Sequence, residues 1–202
     1  MKIIYVRLLS LEEVKKHEEK LHSFLDEERE KKALSYQREE NKLQSLGAGY
    51  FIKKYTNPKE SIFYNEYQKP CKKNEHFNLS HSFDYVVFLS FDRECGIDIE
   101  KIREGKERLK SYVFSSSEQM RIHSDSDFYQ FWTRKEALGK AYGNGLNEES
   151  LKRIPSEKGI LSYHDKIYTL KTILYSSYAI SIALEGKEEE LKIAVLEEKI
   201  EF

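Results

Sequence analysis

One stretch of the sequence, Phe131-Trp-Thr-Arg-Lys-Glu-Ala-Leu-Gly-Lys140, constrains the fold more than any other. Read as a helix, it places Trp132, Glu136 and Lys140 at helical spacings, and therefore on one face. A Gly-Asn-Gly run begins at residue 143, and both residue types tolerate the positive φ of a helix C-cap. The pattern predicts a long helix over about Asp127–Tyr142, with an aromatic anchor, a carboxylate and an ammonium on one side.

A second stretch, Gly96-Ile-Asp-Ile-Glu100, supplies further acids that could form a functional site together with that helix. Strand alternation sends Asp98 and Glu100 to the same side. With Glu136 they make three carboxylates, and all-oxygen ligands of this kind suit Mg²⁺. A lysine one helical turn beyond Glu136 completes a set that can hold a divalent metal and a phosphate.

Each of these features also has an ordinary structural interpretation. An acidic pair in a strand is usually a solvated edge, and Glu136 with Lys140 is an i, i+4 pair of the kind that supports exposed helices. Trp132 is expected to be a packing anchor. The joint spacing of the carboxylates and Lys140 is what favours a functional site.

Composition limits the function classes. The chain has 202 residues, 34% of them charged, with a net charge of −1, so we expect no nucleic-acid partner. The two cysteines do not form a disulfide framework. The first residues lack the pattern of a secretory signal and no apolar run is long enough to span a membrane, so we expect a cytoplasmic protein without a membrane partner.

Periodicity predicts helices and strands in both halves of the chain. The predicted helices are Ser10–Leu25, Asp26–Tyr36, Arg38–Tyr55, Glu107–Phe114 and Asp127–Tyr142. The predicted strands are Lys2–Leu9, Ser61–Tyr67, Tyr85–Phe91, Gly96–Glu100, Ile160–Tyr163, Lys166–Ile173, Tyr178–Leu184 and Leu191–Leu196. We therefore predict an α+β fold with two halves and a boundary near residue 100, where a ligand cleft is expected.

The two stretches resemble the paired motifs of the 4'-phosphopantetheinyl transferases, a Gly-x-Asp-x-Glu strand followed by a Trp-x-x-Lys-Glu-x-x-x-Lys helix. Three further segments resemble the longer, surfactin-type branch of that family: Phe77-Asn-Leu-Ser-His-Ser82, Tyr67-Gln-Lys-Pro70 and the basic helices over Arg29–Leu46. Gln68 stands where this branch commonly has glycine. The resemblance implies two similar α/β subdomains that form a pseudodimer, residues 1–100 and 101–202, in a monomeric protein.

The resemblance also implies an activity. Coenzyme A would donate its phosphopantetheine arm to a serine of an acyl or peptidyl carrier protein, releasing adenosine 3',5'-bisphosphate. Mg²⁺ would be held by Asp98, Glu100 and Glu136. Glu136 would be the base, with Lys140 and Asp98 also catalytic. Residues expected to bind coenzyme A are Lys31, Arg38, Lys42, Lys69, Lys73, Ser80, His81, Lys135 and Lys140.

Two other functions remain open at this stage. A Mg²⁺-dependent phosphodiesterase or nuclease would use similar acids and a lysine, although the weakly acidic chain makes nucleic acid a poor substrate. The second alternative function is that of a non-catalytic module that binds carrier proteins. His81 is equally explained as a structural hydrogen-bonding residue, and the named lysines as solvated faces. The segment Arg103–Asp127 is where we expect the carrier protein to dock.

Overall fold

The computed structural model describes residues 1–143 and 148–202, which form an α+β fold. The strands are β1 (Lys2–Ser10), β2 (Phe63–Tyr64), β3 (Pro70–Cys71), β4 (His76–Ser82), β5 (Tyr85–Phe91), β6 (Cys95–Lys101), β7 (Gly159–Tyr163), β8 (Lys166–Tyr175), β9 (Tyr178–Glu185) and β10 (Leu191–Glu197). The helices are α1 (Leu11–Lys16), α2 (Glu18–Phe24), α3 (Glu27–Leu34), α4 (Glu39–Tyr55), α5 (Lys110–Val113), α6 (Ser116–Gln119), α7 (Asp125–Tyr142) and α8 (Glu148–Arg153). Within these ranges, we find no helix whose length and apolarity would let it cross a membrane.

Two four-stranded sheets form the centre of the fold. The first has the order β10-β1-β5-β4 and the second has the order β6-β9-β8-β7. Strands β1 and β10 pair in parallel, whereas the other pairs in these sheets are antiparallel. The last strand of the chain thus completes the first sheet, and β6 forms an edge of the second. The division into residues 1–100 and 101–202 stays a prediction.

Alternating apolar residues pack the sheets into layers. Val6 on β1 faces the second sheet, where it joins a buried cluster with Ile97 and Ile180. The other face of the first sheet packs against the helices α1 to α4, and α7 covers the outer face of the second sheet. Each sheet therefore carries one long helix, α4 of 17 residues or α7 of 18 residues. The α+β prediction is confirmed, and these two sheet-and-helix halves are consistent with a pseudodimer.

The helix predicted over Ser10–Leu25 is interrupted at His17. Ser10 does cap the first piece, because its Oγ accepts the Glu13 backbone N–H. His17 then has the non-helical dihedrals φ −114° and ψ 16°, and its ring Nδ1 lies 3.0 Å from the Glu13 carbonyl oxygen. The single predicted helix is consequently two short ones, α1 and α2.

The strand predicted over Ser61–Tyr67 is reduced to the two residues of β2. Asn65 ends it, because its Oδ1 accepts the backbone N–H groups of Tyr67 and Lys69 and folds the chain into a turn. Gln68 in this turn has φ 62°, the left-handed conformation in which glycine is favoured. This turn would therefore accommodate glycine at position 68 more readily than the glutamine that stands there.

The helix predicted over Asp127–Tyr142 is confirmed with a slightly earlier start. Ser124 caps α7 by accepting the Asp127 N–H at 3.1 Å. Gly143 ends the helix with φ 89°, and its N–H donates to the Gly139 carbonyl. The predicted continuation of the cap, Asn144 and Gly145, lies outside the described residues. Helix α8 was not predicted from the sequence.

Helix α7 lies directly against β6 at Gly96. A Cβ at this glycine would be 2.0 Å from the Ala137 carbonyl oxygen and 2.6 Å from the Ala141 backbone nitrogen. Both atoms belong to the helix backbone, so no side chain could rotate away to make room. The absence of a side chain at Gly96 therefore sets the distance between α7 and the strand that carries Asp98 and Glu100.

We predict that Gly96→Ala lowers the free energy of unfolding by about 3 kcal/mol, because α7 must move away from β6. Gly47→Ala in α4 is the matched control. Its Cβ would meet side-chain methyl groups, those of Val14 and Val86 at 3.2 Å and that of Leu9 at 3.5 Å. The better helix propensity of alanine should limit the change to less than about 1 kcal/mol. Urea unfolding of both variants checks the prediction, and equal stabilities would contradict it.

Candidate active site

Strands β4 and β6 belong to different sheets but run side by side. Ser80 contacts Asp98 and Ser82 contacts Glu100, both 18 residues further along the chain, so the two strands point in the same direction. Side chains join them: Asn78 Oδ1 accepts the Ile97 N–H at 2.9 Å, and Ser82 Oγ accepts the Lys101 N–H at 3.2 Å. This junction brings the acids of β6 beside the polar residues of β4.

Lys140 of α7 reaches into this junction. Its ammonium donates to Asp98 Oδ1 at 2.7 Å, to Ser80 Oγ at 3.0 Å and to the Ile97 carbonyl at 3.2 Å. Ser80 Oγ in turn donates to Asp98 Oδ1 at 2.8 Å. The structure therefore joins three of the predicted site residues, Asp98, Ser80 and Lys140, in one hydrogen-bonded group.

The other two predicted acids lie at the edge of this group. Glu100 accepts a hydrogen bond from Ser82 Oγ at 2.9 Å. Glu136 lies one helical turn before Lys140, and in the described part of the chain its carboxylate is free of hydrogen bonds. The two glutamates thus keep acceptor atoms available next to Asp98.

The charges of these groups act on one another. Burial, together with the negative charge of Asp98, raises the pKa of Glu136 to about 7, while Lys140 opposes the rise. Burial and Asp98 also raise the pKa of Glu100. Burial alone would lower the pKa of Lys140, but Asp98 and Glu136 outweigh it and raise this pKa. The site holds more negative charge than its one ammonium neutralises.

This excess of carboxylate suits a divalent cation. The Oδ2 atom of Asp98 is buried and lacks a hydrogen-bond partner among the described residues. Buried polar atoms are normally paired, so an unpartnered carboxylate oxygen is consistent with an added ligand. The donors present are oxygens, as Mg²⁺ prefers. However, no three His, Cys, Asp or Glu side chains of residues 1–143 and 148–202 converge in a metal-holding arrangement.

A cavity of about 270 Å³ opens beside Glu136 and Lys140, and we call it the central cavity. It is also lined by Lys69 of the loop before β3, by Pro70 at the start of β3 and by Leu79 of β4. The Lys69 ammonium donates to the Lys140 carbonyl and to Glu94 Oε2, both at 3.1 Å. The central cavity is therefore bounded by one acid and two ammonium groups.

A second cavity of about 270 Å³, the side cavity, lies beyond Pro70 and Leu79, which line both. Arg29 and Lys32 line it from α3, and His81 lines it from β4. Desolvation and then the positive charge of Lys140 lower the pKa of His81. A ligand with phosphates at two places could lie across both cavities and meet basic groups in each.

Comparison with known proteins identifies the family of the chain. The family model described as the 4'-phosphopantetheinyl transferase superfamily matches residues 94–191, which include β6 and α7. The chain is 31% identical over 157 residues to the 4'-phosphopantetheinyl transferase ffp of Bacillus subtilis, covering 70% of this chain and 68% of that protein. The chain belongs to the 4'-phosphopantetheinyl transferase family.

Two further relatives indicate the surfactin-type branch of this family. The 4'-phosphopantetheinyl transferase gsp of Aneurinibacillus migulanus is 32% identical over 140 residues, covering 62% of this chain and 59% of that protein. The 4'-phosphopantetheinyl transferase Sfp of Bacillus subtilis (strain 168) is 31% identical over 145 residues, covering 64% of this chain and 65% of that protein. The matches thus span somewhat less than two thirds of the length of these two relatives.

Several predicted coenzyme A ligands lie away from the two cavities. Lys31 is on the exposed side of α3 and pairs with Glu27 at 2.5 Å, whereas the next residue, Lys32, lines the side cavity. Lys42 pairs with Glu18 at 2.6 Å. Arg38 is exposed at the N-cap of α4, and Lys73 is exposed beside a different cavity. Of the lysines predicted outside the motif helix, the structure brings only Lys69 to the described central cavity.

Lys135, which the resemblance predicted to bind coenzyme A, is fully buried on another face of α7. Its ammonium pairs with Glu118 at 2.9 Å and donates to the carbonyls of Leu151 and Ile154. Glu118 in turn closes a capping box with Ser115 at the start of α6. These contacts make Lys135 a link between α7, α6 and the end of α8, away from the central cavity.

Four residues of the site were not predicted individually from the sequence: Arg29, Lys32, Ser82 and Glu94. Strand alternation could have identified Ser82, because it shares a face with Ser80. Helical spacing relates Arg29 to Lys32, but the rotation of α3 that turns both toward the side cavity is set by its packing on α4. The role of Glu94 depends on a contact with Lys69, 25 residues earlier. Local sequence carries no signal for such a contact.

We predict that Lys135→Met lowers the free energy of unfolding by about 3–5 kcal/mol, because Glu118 is left buried without its cation. Adding Glu118→Gln should restore part of the loss. Lys187→Met removes an exposed ion pair with Glu189 and should cost less than about 1 kcal/mol. Urea unfolding measures all three. A Lys135 variant of unchanged stability but weakened coenzyme A binding would contradict this assignment.

Proposed function

We propose that this chain transfers the 4'-phosphopantetheine arm of coenzyme A to a serine hydroxyl of an apo acyl or peptidyl carrier protein, with Mg²⁺, and releases adenosine 3',5'-bisphosphate. The observation that carries the proposal is the contact of Lys140 with Asp98 and Ser80 at the wall of the central cavity, in a chain of this family. We further propose that it acts as a cytoplasmic monomer, without a nucleic-acid or membrane partner.

In the proposed reaction the serine oxygen bonds to the phosphorus that carries the pantetheine arm. The pyrophosphate bond to the adenosine 3',5'-bisphosphate breaks, and the serine proton leaves. The Glu136 carboxylate, to which no described residue donates a hydrogen bond, lines the central cavity and accepts that proton. Lys140 offsets the negative charge that develops on the leaving phosphate. Lys69, which also lines the central cavity, supplies a second positive charge.

Asp98, Glu100 and Glu136 are the acids that would hold the Mg²⁺ ion, and they would have to draw together on binding it, because their side chains do not converge on one point in the described structure. Asp98 Oδ2, which lacks a partner among the described residues, would be one ligand atom. A bound Mg²⁺ neutralises pyrophosphate charge and orients the phosphate groups. Ser80 and Ser82 hold the carboxylates of Asp98 and Glu100 by hydrogen bonds, so both acids keep their orientation. Replacing either acid would remove a metal ligand and would also leave the positive charge of Lys140 with less compensating negative charge.

The side cavity is our proposed place for the nucleotide end of coenzyme A. Arg29 is buried, and its guanidinium is fixed by hydrogen bonds to Tyr64 Oη at 3.0 Å and to the Ser45 carbonyl at 3.2 Å. Lys32 lies over the Tyr64 ring at 4.4 Å. A fixed guanidinium and an adjacent ammonium are suited to a phosphate group.

The transfer itself is tested by the intact mass of an apo carrier protein incubated with this chain, coenzyme A and Mg²⁺. We expect a mass gain of one phosphopantetheine, lost with EDTA and reduced at least about 100-fold in rate in Glu136→Gln. Coenzyme A binding without a mass gain on several carriers would instead support the binding module. Neither binding nor gain, with hydrolysis of phosphodiesters, would support the phosphodiesterase.

Two neighbouring lysines test the position of the nucleotide. We predict that Lys32→Ala raises the KM for coenzyme A about tenfold, the effect of losing one charged hydrogen bond to phosphate. Lys31→Ala is the matched comparison, because it removes the same side chain one residue away on the exposed face of α3. Its KM should stay within about twofold of the unmodified chain. A reversed order of the two effects would place the nucleotide elsewhere.

A further inference from the structure

We infer that Glu94 is a positioning residue that holds Lys69 at the central cavity and thereby sets the affinity for coenzyme A. This inference rests on the proposed function and adds a residue to it. Glu94 Oε2 accepts a hydrogen bond from the Lys69 ammonium at 3.1 Å, and its Oε1 lies 3.0 Å from Nδ1 of His76. The carboxylate thus bridges a lysine and a histidine of two different chain segments.

The Lys69 ammonium has three donors, and the described residues accept hydrogen bonds from two of them. One donates to Glu94 and another to the Lys140 carbonyl, in the last turn of α7. The third remains for a ligand in the central cavity, which Lys69 lines. Since the Lys69 side chain is only 15% exposed, its position is set by these two contacts rather than by solvent.

The loop that carries Lys69 is the turn of the β2–β3 hairpin, in which Tyr64 pairs with Pro70 and the Asn65 N–H donates to the Lys69 carbonyl at 3.1 Å. It turns at Asn65, whose side chain accepts the Tyr67 and Lys69 N–H groups, and it passes through Gln68 at φ 62°. Asn65 Nδ2 also reaches the Gly143 carbonyl, at 3.4 Å. Lys69 and Asn65 thus both join this loop to the end of α7, and of these two contacts between described residues that of Lys69 is the shorter.

Glu94 is well placed to fix this link. It immediately precedes β6, and its carbonyl accepts the Glu185 N–H at 2.8 Å, so its backbone is anchored in the second sheet. Lys69 and Pro70 line both the central cavity and a neighbouring cavity that Glu94 and His76 also line. Glu94 therefore contacts Lys69 from the side opposite to the proposed substrate, where it orients the ammonium without blocking it.

Loss of the Glu94 charge should release the Lys69 ammonium and widen the range of its positions. A lysine that must be ordered on binding binds phosphate more weakly than one already in place. The proposed proton transfer and charge neutralisation depend on Glu136 and Lys140 instead. Loss of the Glu94 charge should therefore weaken coenzyme A binding more than it slows turnover. The expected signature is a change in KM for coenzyme A with little change in kcat.

The test compares Glu94→Gln, Lys69→Met and the double variant, each with an apo carrier protein, coenzyme A and Mg²⁺. We expect Glu94→Gln to raise the KM for coenzyme A about tenfold while kcat stays within about twofold. In the Lys69→Met background, Glu94→Gln should change the KM no further, because both act through one ammonium. Glu185→Gln, which removes an ion pair with Lys166, is the control and should leave both parameters unchanged.

Three outcomes would overturn the inference. One is a Glu94→Gln variant that folds and binds coenzyme A with the unmodified KM. Another is an equal rise in KM with and without Lys69, which would indicate a general structural role for Glu94. The last is an unmodified chain that itself fails to bind coenzyme A by calorimetry, which overturns the proposed function together with this inference. Thermal unfolding of each variant confirms that the compared proteins are folded.

Discussion

The contact between α7 and β6 at Gly96 is the constraint on which the site depends. A side chain at this position would collide with the backbone of α7 at Ala137 and Ala141. Because the strand has none, the helix lies close enough for Lys140 to reach Asp98, two residues after the glycine. Gly96 therefore matters because it permits the short distance between α7 and β6, and not because it offers a chemical group of its own. Sheet packing on the other side of β6, where Ile97 and Ile99 are buried, holds the strand in place against the helix.

Once helix and strand are this close, the charges must be balanced. Burial, and after it the negative charge of Asp98, raises the pKa of both Glu100 and Glu136, and the Lys140 ammonium opposes part of this rise. Lys140 and the hydroxyls of β4 let the protein fold with the acids together, since buried charges need partners. The same arrangement leaves acceptor atoms unused. Lys140 thus stabilises the folded site, and it also neutralises part of the negative charge that would attract the proposed Mg²⁺ ion.

The predictable part of this structure is local. Residue spacing predicts the helical period of α7, its cap at Gly143 and the alternation of β6. From these features Asp98, Glu136 and Lys140 were expected to lie close together. The unpredictable part depends on packing between distant segments. Two adjacent lysines of α3 have similar local sequence, and only contact with α4 determines that Lys32 rather than Lys31 lines the side cavity. Lys135 is likewise adjacent to Glu136, but α6 and α8 cover its face of the helix.

The loop between β2 and β3 shows how far such packing can override local preference. Gln68 adopts a φ that glycine takes more readily, at some conformational cost, and the loop keeps this shape because contacts at both ends fix it. Asn65 closes the turn from within, and Lys69 joins it to α7 and to Glu94. Glu94 lies two residues before Gly96 on the same segment. One strand and the residues just before it therefore fix the helix, the acids and the basic wall of the central cavity relative to one another.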